Sequence, residues 1–379
     1  MRPRPHPALL LSLLALAAPA SASAQAVPND PGKGTAPMGW QQIQWNFAGP
    51  WGVNAQQAWN NVATVGRPGG KGVVVAVLDT GVAYANRGKY RRSPDFGAHQ
   101  FVRGWDFVAR DPYADDPNGH GTHVASTIAE ATNNGIGLTG LAFGARIMPV
   151  RVLDARGEGD PGTIAKGVRW AVDHGADVIN MSLEFGHEVT AASIPALMKS
   201  IRYAHRKGVV VVGASGNEGA GDVAYPARAS SVISVGATTE HGCLADFSNQ
   251  GAGLDVVAPG GGTDTDIVPD DPNCSPETEP GRDISQISYK NSRRQFGIER
   301  EEGTSMSAPH VSAVAALVIA SGVLGKHPTP TAVMKRIEAT ARDLGPAGYD
   351  QYYGWGLVDA AAATAPGGPV APAAPTSSG

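Results

Sequence analysis

The chain has 379 residues, a formal net charge of −4, 49 glycines and two cysteines. That length accommodates one large domain. The near-balanced charge, with no basic stripe beyond the short pairs Arg91-Arg92 and Arg293-Arg294, argues against a nucleic-acid partner. In chain order, Arg2 and Arg4 precede an apolar stretch over 8–18 that is too short to span a bilayer. Small residues follow at Ala22-Ser23-Ala24 and Ala24-Gln25-Ala26, so 1–26 reads as an export signal, and no membrane anchor is expected after it. Residues 27–39 are rich in proline and glycine and are expected to be mobile. The main domain is expected over 40–365, beginning with a short helix near 54–61. Continuous apolar runs predict buried strands over 73–78, 146–153, 177–182, 209–213, 232–236 and 254–258. Helical patterns alternate with them over 123–130, 163–174, 192–207, 307–323 and 329–340. That alternation predicts an α/β fold with a mostly parallel sheet covered by helices on both faces. The polar segment 261–302 reads as a loop-rich excursion, either near a site or simply solvated, and 366–379 as a disordered tail.

The run Gly303-Thr304-Ser305-Met306-Ser307-Ala308-Pro309-His310 places Ser305 between a glycine-led turn and a long apolar helix pattern. Unpaired N–H groups and the positive end of the helix dipole lie near such a hydroxyl. A serine still needs a base to act as a nucleophile. Asp79 closes the strand pattern Val73 to Leu78 and therefore falls at the carboxyl end of a parallel strand, where active sites of open α/β sheets form. His123, in His120-Gly121-Thr122-His123-Val124-Ala125, is read as the base, with His120 as a structural residue. Singly, these residues have plainer readings. Asp79 is ordinary turn chemistry before Thr80-Gly81, His120 and His123 at i, i+3 are half a metal site, Asn217 is a turn residue after Gly216, and Ser305 is a helix cap.

The runs 77–82, 120–125, 180–183, 214–217 and 303–311, in this order, resemble the subtilisin-like serine proteases, over about residues 40–365. The resemblance implies a three-layer subtilisin-like fold and a secreted, monomeric endopeptidase acting on polypeptides, with a catalytic Asp79–His123–Ser305 triad and Asn217 as oxyanion donor. It also implies substrate walls at Ser182-Leu183-Glu184 and Ala214-Ser215-Gly216. Relatives commonly follow Ser-Leu with two glycines, whereas this chain has Glu184-Phe185. Glu184 would favour basic substrate side chains if it faces the pocket. The segment 132–138 resembles a family calcium loop, with Asp95, Thr132, Asn134, Ile136 and Leu138 as matching positions, completed by Gln41, Gln42 or Gln44; the alternative is a metal-free turn. No cofactor is implied for catalysis. No folding propeptide is recognisable between Val27 and Trp40. Export permits Cys243 and Cys274 to pair, although two unpaired cysteines remain the alternative. A catalytically silent peptide-binding module and an esterase are the competing functions. The absence of a Gly-x-Ser-x-Gly elbow opposes an α/β-hydrolase esterase.

Overall fold

A computed structural model describes residues 27–265, 267–269, 271–274, 280–289 and 292–368. The expected signal at 1–26 and most of the expected tail at 366–379 lie outside the described residues. The strands are β1 (Val74–Asp79), β2 (Trp105–Asp106), β3 (Arg146–Arg151), β4 (Val178–Met181), β5 (Val210–Ala214), β6 (Ile233–Thr238) and β7 (Val256–Pro259). They form one sheet in the order β2-β3-β1-β4-β5-β6-β7, with every pairing parallel. The six predicted strands are all present. The two-residue edge strand β2 was not foreseen, being too short to show an apolar run.

The helices are α1 (Trp45–Ala48), α2 (Ala55–Thr64), α3 (His120–Ala129), α4 (Pro161–Asp173), α5 (Pro195–Arg206), α6 (Thr304–Ser321), α7 (Pro330–Thr340) and α8 (Ala360–Thr364). Successive β1 side chains alternate between two cores. Val73, Val75 and Val77 pack with residues of α3 and α6, whereas Val74, Ala76 and Leu78 pack with residues of α4 and α5. By this alternation Asp79 belongs to the face of α3 and α6. The same parity on β4 turns Asn180 toward α6, where Ser312 Oγ donates to Asn180 Oδ1 at 2.8 Å. Helix α6 is apolar on every side because it is enclosed, with 16 of its 18 residues buried.

The segment 261–302 is not simply a solvated loop. Its second half forms an antiparallel hairpin, β8 (Ile284–Ser288) with β9 (Gly297–Glu301), and β8 is buried throughout. Ser126 Oγ on α3 donates to the Ile287 carbonyl at 3.2 Å, and Ile287 N–H donates to Glu130 Oε1 at 3.1 Å. Cys243 and Cys274 form a disulfide across a sequence separation of 31 residues. In the chain-entropy model such a closure restricts the unfolded chain by about 3–4 kcal/mol. The segment 27–39, expected to be mobile, is anchored at its start: Asp30 is buried, and Trp40 Nε1 donates to the Pro28 carbonyl at 2.9 Å.

One buried carboxylate fixes where α3 begins. Asp116 Oδ1 accepts from Asn118 N–H at 2.8 Å, Gly119 N–H at 3.0 Å and Thr80 Oγ1 at 2.9 Å. Its Oδ2 accepts from Thr122 N–H at 3.0 Å and Thr122 Oγ1 at 2.6 Å. Three of those donors, the N–H groups of Asn118, Gly119 and Thr122, are amides ahead of or within the first helical turn. Gly119 completes the turn at φ 120°, with the Tyr289 carbonyl 2.2 Å from where a side chain would start. Replacing Asp116 by alanine leaves several buried donors unmatched and is expected to cost about 3 kcal/mol or more, read as a lower urea midpoint with an unchanged m value.

Candidate active site

Three neighbouring strands deliver their carboxyl ends to one edge of the sheet. β1 ends on Asp79, β4 leads into Ser182-Leu183-Glu184, and β5 ends at Ala214 before Ser215-Gly216-Asn217. Helices α3 and α6 start at the same edge. Asp79 is fully buried, and its Oδ1 accepts from Thr80 N–H at 2.7 Å. The same oxygen lies 2.8 Å from Nδ1 of His120, not of His123.

This corrects the sequence assignment of the base. His123 is fully buried between α3 and β8, with Nε2 3.1 Å from the Ile284 carbonyl. Burial, with a smaller contribution from nearby His120, holds its pKa below the ordinary value against the pull of Glu301. A neutral ring enclosed in this way serves packing. His120 is the first residue of α3, and its side chain is about a quarter exposed, 26%. It lines a cleft of about 480 Å³ together with Ser305, Ser182, Leu183 and Glu184. Burial lowers the His120 pKa, but the Asp79 carboxylate, aided by Glu301 and Asp116, outweighs it and pushes the value up to about 9. Gly121 permits the approach of helix to strand: a side chain there would start 2.9 Å from Asp79 Oδ1 and 2.2 Å from the Gly81 carbonyl.

Ser305 stands in the first turn of α6, which begins three residues earlier than the apolar pattern because Gly303, at φ 138°, makes the turn. Its hydroxyl is 3.4 Å from the Ser182 carbonyl. Pro309 has no N–H to give to the carbonyl four residues back, and that carbonyl belongs to Ser305. Ser182 Oγ donates to it instead at 2.7 Å, while Asn180 Nδ2 donates to Ser182 Oγ at 3.0 Å. The first substrate wall and the serine are thereby tied together.

Asn217 is oriented at both ends of its amide. Its Oδ1 accepts from Thr304 N–H at 2.8 Å and Thr304 Oγ1 at 3.0 Å, and its Nδ2 donates to Glu184 Oε1 at 3.1 Å. The second wall is pinned by Ser215 N–H to the Val235 carbonyl at 2.9 Å and Ser215 Oγ to the Asn249 carbonyl at 3.0 Å. Glu184 crosses from the first wall to the second. Phe185 lines the cleft and its N–H donates to the Tyr225 carbonyl at 2.9 Å. Gly157, Glu158 and Gly159, following β3, form an opposing rim that sequence reading did not single out.

At the expected calcium loop, Asp95 Oδ2 accepts from Leu138 N–H at 3.0 Å and Asp95 Oδ1 from Asn134 Nδ2 at 2.7 Å. Ile136 N–H donates to Asn134 Oδ1 at 2.8 Å. The residue joining them from the N-terminal arm is Asp30, which accepts from Thr132 Oγ1 at 2.7 Å and from Asn133 and Asn134 N–H at 2.9 and 3.1 Å. Gln44 is engaged elsewhere, accepting from Thr139 N–H at 3.1 Å and donating to the Thr139 carbonyl at 2.8 Å. Burial, with Asp30 adding, pushes the Asp95 pKa up to about 7 against the hydrogen bonds from Asn134 and Leu138. Asp30 lies in the proline- and glycine-rich segment 27–39, expected to be mobile, and nothing in its spacing linked it to residue 132.

The sequence profile of the subtilase family (peptidase S8) matches residues 70–356. Among curated proteins, the chain is 40% identical over 321 residues to the M-protease of Shouchella clausii, covering 83% of this chain and 70% of that one. It is 39% identical over 321 residues to subtilisin Savinase of Lederbergia lenta, covering 83% and 98% respectively. Among solved structures, a protease of Pseudoalteromonas arctica superposes with a TM-score of 0.69 at 31% identity, covering 89% of this chain and 98% of the other. With its seven parallel strands and a polypeptide-cleaving lineage on every side, the chain belongs to the subtilase family of serine proteases.

Proposed function

We propose that this protein is an exported endopeptidase that hydrolyses peptide bonds through Asp79, His120 and Ser305. The observation that carries the reading is the 2.8 Å contact between His120 Nδ1 and Asp79 Oδ1 beside Ser305 in one cleft. Asp79 accepts the Nδ1–H and so fixes the tautomer that leaves Nε2 available. Nε2 takes the Ser305 proton as Oγ attacks the carbonyl carbon, then gives it to the leaving amine, and an acyl-enzyme remains for water to open. The tetrahedral oxyanion is held by Asn217 Nδ2 and the Ser305 N–H. Glu184 uses one Nδ2 hydrogen and leaves the other for this purpose. In subtilisin itself, loss of the equivalent asparagine lowers the rate about 10²–10³-fold. The peptide lies as an added strand between the Ser182-Leu183-Glu184 and Ala214-Ser215-Gly216 walls. Export is supported by the basic-then-apolar start of the sequence and by the disulfide. The competing reading, a silent peptide-binding module, draws on Glu184 occupying the oxyanion donor.

A serine-reactive fluorophosphonate should label the protein and not Ser305→Ala, and casein cleavage should vanish in Ser305→Ala and His120→Ala. Equal labelling of the parent and Ser305→Ala contradicts the reading. Because the pKa of His120 is raised, the base is protonated at neutral pH and activity should climb as pH rises through about 9. Asp79→Asn should move that limb down toward the ordinary histidine value and lower kcat by about 10⁴. A limb that stays in place in Asp79→Asn removes Asp79 from its role.

The buried carboxylates of Asp30 and Asp95, both hydrogen-bonded to Asn134, suit a calcium ion, whose charge would relieve them. Calcium there would brace the N-terminal arm against the loop and supplies no catalytic step. Chelation should lower the melting temperature of the parent by several degrees, and Asp30→Asn should lose that response. A melting temperature indifferent to chelator would show that the loop holds no metal.

A further inference from the structure

Glu184 is the residue at which this substrate cleft departs from a bare glycine wall. We infer that Glu184 makes the primary pocket a site for a cationic side chain, so that cleavage follows lysine or arginine. The inference rests on the proteolytic reading and adds the substrate class to it.

The geometry places the carboxylate in the gap between the two walls. Oε1 accepts from Asn217 Nδ2 at 3.1 Å. Oε2 lies 2.7 Å from where a Cβ on Gly216 would stand, so it is pressed against the second wall. Gly216 can carry no side chain: its φ is 115° and Asn249 Nδ2 is 2.1 Å from that Cβ position. The second wall therefore meets Glu184 with backbone alone. Oε2 is buried and receives no hydrogen bond of good geometry, although the Asn217 backbone N–H lies beside the carboxylate. A desolvated carboxylate oxygen without a well-placed donor is costly, and an incoming ammonium or guanidinium supplies the donor. An aromatic or aliphatic side chain in the same place would seal that oxygen from water and offer it nothing.

A second carboxylate deepens the effect. Glu218, two residues past Gly216, is held by Asn249, whose Nδ2 donates to Glu218 Oε2 at 2.6 Å and whose Oδ1 accepts the Glu218 N–H at 3.0 Å. Burial first, and Glu218 next, raise the Glu184 pKa, while Asn217 and the charge of His187 oppose them. Glu184 and Glu218 thus both set a carboxylate beside the second wall, which makes the local potential negative. A cation on Oε2 also offsets the negative charge lying beside the oxyanion donor, so the preference should appear in kcat as well as in KM.

The test uses the mature enzyme and matched peptide anilides with Lys, Arg, Leu, Phe or Ala before the scissile bond, with active sites counted by fluorophosphonate. The Lys and Arg substrates should exceed Leu and Phe in kcat/KM by about ten-fold or more, the scale of a hydrogen bond to a charged group. Glu184→Gln, which keeps an acceptor for Asn217, should lower the Lys-to-Leu ratio by about ten-fold, and Glu218→Gln by less. A fully labelled enzyme that prefers Leu or Phe, or a Glu184→Gln variant with an unchanged ratio, overturns the inference and leaves the proteolytic reading standing. A protein that takes no label overturns the proteolytic reading, and the inference with it.

Discussion

The site depends on one hydrogen bond, from the first residue of a helix to the last residue of a strand. His120 Nδ1 meets Asp79 Oδ1 at 2.8 Å, and each partner reaches that point for a separate reason. Asp79 ends a strand whose odd-numbered side chains face α3 and α6, so its side chain falls on the face those helices cover. His120 is set by Asp116, whose two oxygens gather the turn before α3 and the threonine within its first turn. Gly121 then lets helix and strand approach closely enough for the rings and carboxylate to meet. An unpaired carboxylate as deeply buried as Asp79 would be costly, which makes the histidine a structural partner as well as a chemical one.

Most of the fold was legible because its signal is simple. A strand buried on both faces must be apolar throughout, and six such runs separated by helical patterns leave few arrangements other than a parallel sheet. Strand β8 in 261–302 was hidden because its apolar residues Ile284 and Ile287 are separated and followed by the buried polar residues Ser285, Gln286 and Ser288, so no continuous apolar run marks it. The site was legible in its aspartate, serine and asparagine, each marked by a strand end or a helix start. The histidine was misassigned. The apolar pattern that begins at His123 was read as the helix start, yet a histidine inside an apolar run is by that fact a core residue. The one just ahead of it, after Asn118-Gly119, is where a side chain emerges into a cleft. Asp30 and the consequence of Pro309 were beyond sequence reading for a common reason: each joins groups distant in sequence, and no periodicity records that. Asp116 binds amides only two to six residues away, in a polar turn that carries no apolar pattern.

Hydrogen bonding also couples the substrate walls to the chemistry. Pro309 frees the Ser305 carbonyl, Ser182 takes it up, and Asn180 links that serine onward to Ser312 in the middle of α6. On the other side, Thr304 holds Asn217 while also contacting the Gly216 carbonyl at 3.3 Å. Ser305, Asn217 and the segments 182–184 and 214–216 are thus joined through the first turn of one helix. Preorganisation of this kind holds dipoles in place before charge develops, so little reorganisation is left for the moment of reaction. Glu184 sits within that frame, accepting a hydrogen bond from Asn217 Nδ2.

Proton NMR of the Ser305→Ala protein examines the central bond most directly. An imidazole Nδ1–H held by a buried carboxylate resonates far downfield of ordinary amides. The signal should be present in Ser305→Ala, absent when His120→Ala is added, and retained when His123→Gln is added instead. A downfield proton that survives loss of His120, or disappears with His123 while the fold is intact, would place the histidine–carboxylate pair elsewhere and contradict the account.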